Sequence, residues 1–77
     1  MGTAGVKMII GDTAAFGAAI RKRRRELGYT QSFLSGFTGY SISFISDLEN
    51  GKATAELGRA LDIAHVLGMD IDLKVRD

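Results

Sequence analysis

Gly28, Gly39, Gly51 and Gly68 cut this chain into short runs, and no proline interrupts any of them. Within each run apolar residues recur at three- and four-residue intervals, the period of an amphipathic helix. Each run also opens near a residue whose side-chain oxygen suits an N-cap, and closes on a glycine suited to a C-terminal stop. The pattern predicts four helices joined by tight turns. Asp12 or Thr13 caps the first, which runs through AAFGAAIRKRRREL with Phe16, Ile20 and Leu27 on one face. Thr30 caps the second, with Tyr29 spaced to pack on Leu34 as a hydrophobic staple. Ser41 caps the third, where Tyr40 is placed to staple Ile45, and Ile45 and Leu48 face inward. Thr54 is expected to cap the fourth, whose inner stripe is Leu57, Leu61, Ala64 and Leu67.

After Gly68 the period changes. Met69, Ile71, Leu73 and Val75 alternate with Asp70, Asp72, Lys74 and Arg76, which predicts a half-buried strand. A strand needs a partner for its backbone groups. The other β-like run is Val6 to Ile10, so the ladder closes on that run or on the same strand of a second subunit. The expected organisation is an N-terminal tail or short strand over 1–11, a helical domain over 12–68 and a dimerising strand over 69–77.

Composition removes several functional classes. A chain of 77 residues is one small domain with a limited core. It has no cysteine and a single histidine, His65, so neither a disulfide framework nor a two-histidine metal site is open to it. No nucleophile–base pair, metal cluster or phosphate loop stands out, so neither enzymatic activity nor a cofactor is expected. No apolar run approaches the roughly 20 residues of a membrane span. Without a secretory apolar segment at its start, the chain is expected to be cytoplasmic.

Half of the ten basic residues sit in one run, Arg21 to Arg25. Helical periodicity through this run makes it part of the first helix and not a disordered tail. On a helical wheel Arg21, Lys22 and Arg25 point to solvent, while Arg23 and Arg24 flank the apolar stripe.

Two short helices separated by TGYS fit a helix-turn-helix, whose second helix enters a DNA major groove. Over IRKRRRELGYTQSFLSGFTGYSISFISDLENGK the chain resembles the Cro/repressor-type (xenobiotic-response-element) helix-turn-helix family. The resemblance rests on Arg24 four residues before Gly28, the Thr30–Gln31 pair, Leu34, Gly39, Ser41, Ile45, Leu48 and the LENGK ending, at fixed spacing over about 40 residues. With a fourth helix and a terminal strand, the chain is similar to small HipB-like antitoxins and regulators.

The expected fold is all-α, four helices around a helix-turn-helix, and the alternating C-terminal strand is expected to pair across a dimer through Met69, Ile71, Leu73 and Val75. The resemblance implies that Gln31 hydrogen-bonds a DNA phosphate and that Ser41, Ile42, Ser43, Ser46 and Asp47 lie at or near base edges. Asn50 and Lys52 would hold the DNA backbone, and Arg24 would pair with Glu49. The expected function is a homodimeric, sequence-specific repressor of a palindromic operator. It would be the antitoxin of a HipBA-like pair, partnered by a HipA-like kinase toxin and autoregulating its operon. The alternative is a protein-interaction module that neutralises a toxin with little DNA binding. Two departures bear on it. The recognition helix offers serines, Ile42, Phe44 and Asp47, so the bidentate Arg–guanine and Gln–adenine contacts are missing. Phe33 also puts an apolar side chain where the family usually carries an exposed polar one.

Overall fold

A computed structural model describes residues 8–76 of the chain. Four helices form: α1 over Thr13–Glu26, α2 over Gln31–Thr38, α3 over Ile42–Glu49 and α4 over Leu57–Val66. Their starts are set by side-chain caps. Asp12 accepts from the Ala15 N–H at 2.8 Å, Thr30 from the Phe33 N–H at 2.9 Å and Ser41 from the Phe44 N–H at 3.0 Å, each satisfying a donor that a helix N-terminus leaves free. The fourth start differs from expectation. Glu56, not Thr54, accepts from the Arg59 N–H at 2.7 Å. A turn over 52–55, closed by the Ala55 N–H donating to the Lys52 carbonyl at 3.2 Å, carries the chain past Thr54 before α4 begins.

The inward face of α4 also differs in part from expectation. Ala60, Ile63, Ala64 and Leu67 are buried, whereas Leu57 is 67% exposed and Leu61 only half-buried. The inward residues join Ile20, Leu34, Ile45 and Leu48 in one core. Phe16, Tyr29, Tyr40, Phe44 and Met69 pack around it, half-buried; Leu27, expected on the inner stripe of α1, is exposed at its C-cap. The tyrosines preceding α2 and α3 lie on aromatic neighbours: Tyr29 is 4.8 Å from the Phe33 ring, and Tyr40 meets Phe44 edge-on at 5.9 Å. At the surface, the Tyr40 hydroxyl donates to Asp62 of α4, and the Arg59 guanidinium lies over the Tyr40 ring at 5.6 Å. The bond to Asp62 raises the Tyr40 hydroxyl above its ordinary pKa.

The backbone of α1 lies close against the end of α3. A Cβ on Gly17 would stand 2.2 Å from the Leu48 carbonyl oxygen and 2.7 Å from that of Glu49. Just beyond α3, Gly51 adopts left-handed backbone (φ +83°), where a Cβ would stand 2.7 Å from the Ala14 Cα. The Thr13 hydroxyl donates to the Gly51 carbonyl at 2.9 Å. The obstacles at Gly17 are backbone atoms, which cannot rotate away. Gly17→Ala is therefore expected to lower stability by about 2 kcal/mol, overpacking outweighing the roughly 1 kcal/mol gained in helix propensity. A urea midpoint equal to or above that of the parent would contradict this.

The expected C-terminal strand is absent among the described residues. Residues 69–76 form neither helix nor strand, with Ile71 44%, Leu73 91% and Val75 95% exposed. The physical reason is that alternation prepares a strand but a ladder needs a second edge, and the described part of one chain supplies none. Met8 to Ile10 likewise form no strand; Val6 and Lys7, the rest of the proposed partner run, lie outside the described residues.

Candidate nucleic-acid interface

Gln31 opens α2, and the N-terminal half of α3 presents Ser41, Ile42 and Ser43 exposed, with Ser46 and Asp47 half-buried on the next turn. Asn50 and Lys52 are exposed just past α3. These residues lie on two consecutive helices and the loop after them, and one buried carboxylate ties down two of them, Gln31 directly and Asn50 through Arg21.

That carboxylate is Glu49, whose side chain has no solvent exposure. Arg24 reaches it from α1 with a two-pronged contact, Nε to Oε2 at 2.6 Å and Nη2 to Oε1 at 2.9 Å. Gln31 Nε2 donates to Oε1 at 3.1 Å and Arg21 Nε to the same oxygen at 3.3 Å. Arg24 also donates from Nη1 to the Tyr29 carbonyl at 2.8 Å, holding the turn that enters α2. Burial pushes the Glu49 carboxyl up, but the hydrogen bonds from Arg24, Gln31 and Arg21 and the Arg24 charge prevail, leaving it below its ordinary value. The hydrogen bond to Glu49 likewise raises Arg24. Both groups are charged at neutral pH, and no buried side-chain polar atom among the described residues lacks a partner.

The basic run is thus divided. Arg24 is buried against Glu49. Arg23 donates from Nε to the Leu67 carbonyl at 2.9 Å, closing the end of α4. Lys22 lies 3.9 Å from Glu26 on an exposed face, and Arg25 is exposed. Arg21, expected in solvent, instead bridges two acceptors, Glu49 and Asn50 Oδ1, the latter at 2.9 Å. A helical wheel could not have found this, because it reports only the face a residue occupies, and the two acceptors lie 28 and 29 residues away. Gly17 did leave a signal, a glycine inside a helix three positions before the apolar Ile20, where close backbone approach is one meaning.

Asp47 would repel phosphates. Lys52 Nζ lies 3.4 Å from Asp47 Oδ2, an exposed pair that offsets the charge locally. Phe33 is 52% and Phe37 68% exposed, and they stack on one face of α2 with ring centres 6.3 Å apart. His65 is exposed on α4, and no group of residues able to hold a metal occurs among the described residues. Among the described residues, no helix is long and apolar enough to cross a membrane.

Two helices joined by a glycine turn, the second presenting its outer face and clamped from behind by α1, define a helix-turn-helix unit. The helix-turn-helix family model matches residues 20–74, and the chain belongs to that family of DNA-binding regulators. It is 42% identical over 60 residues to the uncharacterized HTH-type transcriptional regulator y4mF of Sinorhizobium fredii (strain NBRC 101917 / NGR234), covering 78% of this chain and 79% of that protein. Its fold is that of HipB. It overlays the protein of the HipB-O4 20mer complex with a TM-score of 0.82 at 24% identity, over 92% of this chain and all of that one. For a HipB variant in complex with an O2 20mer the TM-score is 0.83 at 22% identity, over 94% of this chain and all of that one.

Proposed function

We propose that this protein is a homodimeric, sequence-specific repressor that binds a palindromic operator and serves as the antitoxin of a HipBA-like pair, with a HipA-like kinase as its partner. The observation that carries the DNA reading is the Glu49 cluster. One carboxylate fixes Gln31 at the start of α2 and, through Arg21, Asn50 after α3. Donors on both sides of the recognition helix are thereby held in register before any ligand arrives. The likeness in fold to HipB supports the antitoxin assignment.

In this reading Gln31, Asn50 and Lys52 contact phosphates, while Ser41, Ile42, Ser43, Ser46 and Asp47 face base edges. The alternation of Met69, Ile71, Leu73 and Val75 supports a dimer in which these residues pair with their counterparts in a second copy. Serine hydroxyls discriminate bases less sharply than a forked Arg or Gln, so specificity rests largely on half-site spacing and DNA shape.

Binding to the DNA upstream of its own gene is expected to weaken steeply with salt, because each neutralised phosphate releases counterions. Lys52→Ala should reduce affinity for all sequences alike and flatten the salt slope by about one, whereas changes at Ser43 or Ser46 should alter which sequence is preferred. Affinity independent of ionic strength between low and physiological salt would refute the repressor. A second reading is a toxin-neutralising interaction module, favoured by the exposed Phe33–Phe37 stack together with the recognition helix's lack of long polar side chains. It predicts that Phe33→Ser leaves DNA affinity unchanged and weakens toxin binding.

A further inference from the structure

We propose that Arg21 is a positioning residue of the DNA interface, acting by orienting the amide of Asn50; the proposal rests on the DNA reading above. Two geometric facts carry it. The Arg21 guanidinium spans the buried Glu49 carboxylate, at 3.3 Å from Nε, and the exposed Asn50 amide, at 2.9 Å from Nη2. Its side chain is 39% exposed, against 9% for that of Arg24, so it lies at the rim of the cluster, between the buried carboxylate and the surface.

The chemistry of the pair settles which way Asn50 points. A guanidinium has donors and no acceptor, so the Asn50 atom facing it is the carbonyl oxygen. The amide nitrogen, with two donors, is then turned away from Arg21. Left alone, the terminal torsion of an asparagine is broad and roughly two-fold. An unheld Asn50 would present its oxygen outward much of the time, and that oxygen repels a phosphate. Arg21 removes that orientation in advance. Asn50 itself stands at the C-cap of α3, its own N–H donating to the Ser46 carbonyl at 3.0 Å, so its backbone is already fixed and only the side chain needs a partner.

Glu49 makes the arrangement possible. Its Oε1 accepts from Arg24, Gln31 and Arg21 together, so the arginine at the rim is held by the same atom that holds Gln31. A lysine at position 21 would keep the charge but would lose the planar fork that reaches carboxylate and amide at once.

The test uses the full chain and a duplex carrying the DNA upstream of its own gene. Dissociation constants are measured across a salt series for the parent, Arg21→Ala, Arg21→Lys, Asn50→Ala and the Arg21→Ala/Asn50→Ala double variant. Thermal midpoints are measured alongside, and if Arg21→Ala loses stability the charge-retaining Arg21→Lys carries the comparison. Each single variant is expected to bind about tenfold more weakly, the scale of one hydrogen bond to a charged group. The double variant should be no weaker than either single one, and the salt slope should stay unchanged in Arg21→Ala. Losses that multiply to about a hundredfold, with a slope lower by about one, would make Arg21 itself the phosphate contact and overturn the proposal. So would full affinity in Arg21→Lys, or an Asn50→Ala defect with none in either Arg21 variant. A parent protein with no salt-dependent affinity for the duplex would instead remove the DNA reading on which the proposal stands.

Discussion

Replacing Glu49 by Ala is expected to cost about 3–5 kcal/mol, because it strands Arg24, a buried charge, without its partner. A domain of this length holds roughly 4–12 kcal/mol in all, so Glu49→Ala should lose a large share of the stability and unfold at a much lower urea concentration. Arg24→Ala should cost about 3 kcal/mol, since Arg21 and Gln31 still reach the carboxylate left behind. Lys22→Ala, which removes only an exposed contact with Glu26, should cost less than about 0.5 kcal/mol. Equal, small losses in urea denaturation at all these positions would show that the cluster is not the keystone its geometry implies. The pH dependence has a definite sign. Glu49 has its pKa depressed by folding, so its contribution is complete above its unfolded value, near 4.5, and is lost as pH falls through the folded one. The stability gap between the parent and Glu49→Gln should therefore narrow on acidification below about pH 4.5 and hold constant between about pH 6 and 8.

Removing the residues after Gly68 is expected to yield a monomer whose operator affinity is lower by about two orders of magnitude or more. Dimerisation through residues 69–75 would let one half-site hold the protein at high effective concentration over the other, a gain of about 10²–10⁴. Half-sites one DNA turn apart, about 34 Å, would be spanned by the two copies of α3. Because Met69 packs on the core, truncation also costs some stability. A full-length Leu73→Lys/Val75→Lys chain isolates the assembly effect, since both side chains are more than nine-tenths exposed in the single chain. Sedimentation equilibrium should find both proteins monomeric, and a truncated chain that stays dimeric would assign the interface elsewhere.

What the sequence disclosed and what it withheld follow from the range of each interaction. Caps at Thr30 and Ser41 were legible because an N-cap bonds the backbone only three residues on. The all-helical plan and the place of α3 followed from those caps and the glycine stops. The start of α4 was misread because Thr54 and Glu56 are both able to cap, and the choice is made by the turn over 52–55. The inner stripe kept Ala64 and Leu67 but took Ala60 and Ile63 in place of Leu57 and Leu61. Hydrophobicity alone favours a leucine over an alanine for an inward place, so a reading by side-chain size passes over Ala60. Residues 69–76 showed the opposite limit. Their alternation prepares an edge but cannot name the chain that supplies the other one. In the site, the surface positions of α3 were readable from the helix-turn-helix spacing. Arg21 was not, since its partners come from a helix whose distance and angle are set by packing.

The seating of α1 on α3 has a consequence for how such a protein changes its target. Gly17 meets the carbonyl oxygens of Leu48 and Glu49, atoms that every residue possesses whatever its side chain. The anchoring is therefore indifferent to what the outward positions of α3 carry. Ser43, exposed and without a role in the core, is open to drift in ways that Ile45 and Leu48, fully or nearly buried, are not. On the proposed reading, a lineage could rewrite what α3 contacts while the frame that holds the helix stays as it is.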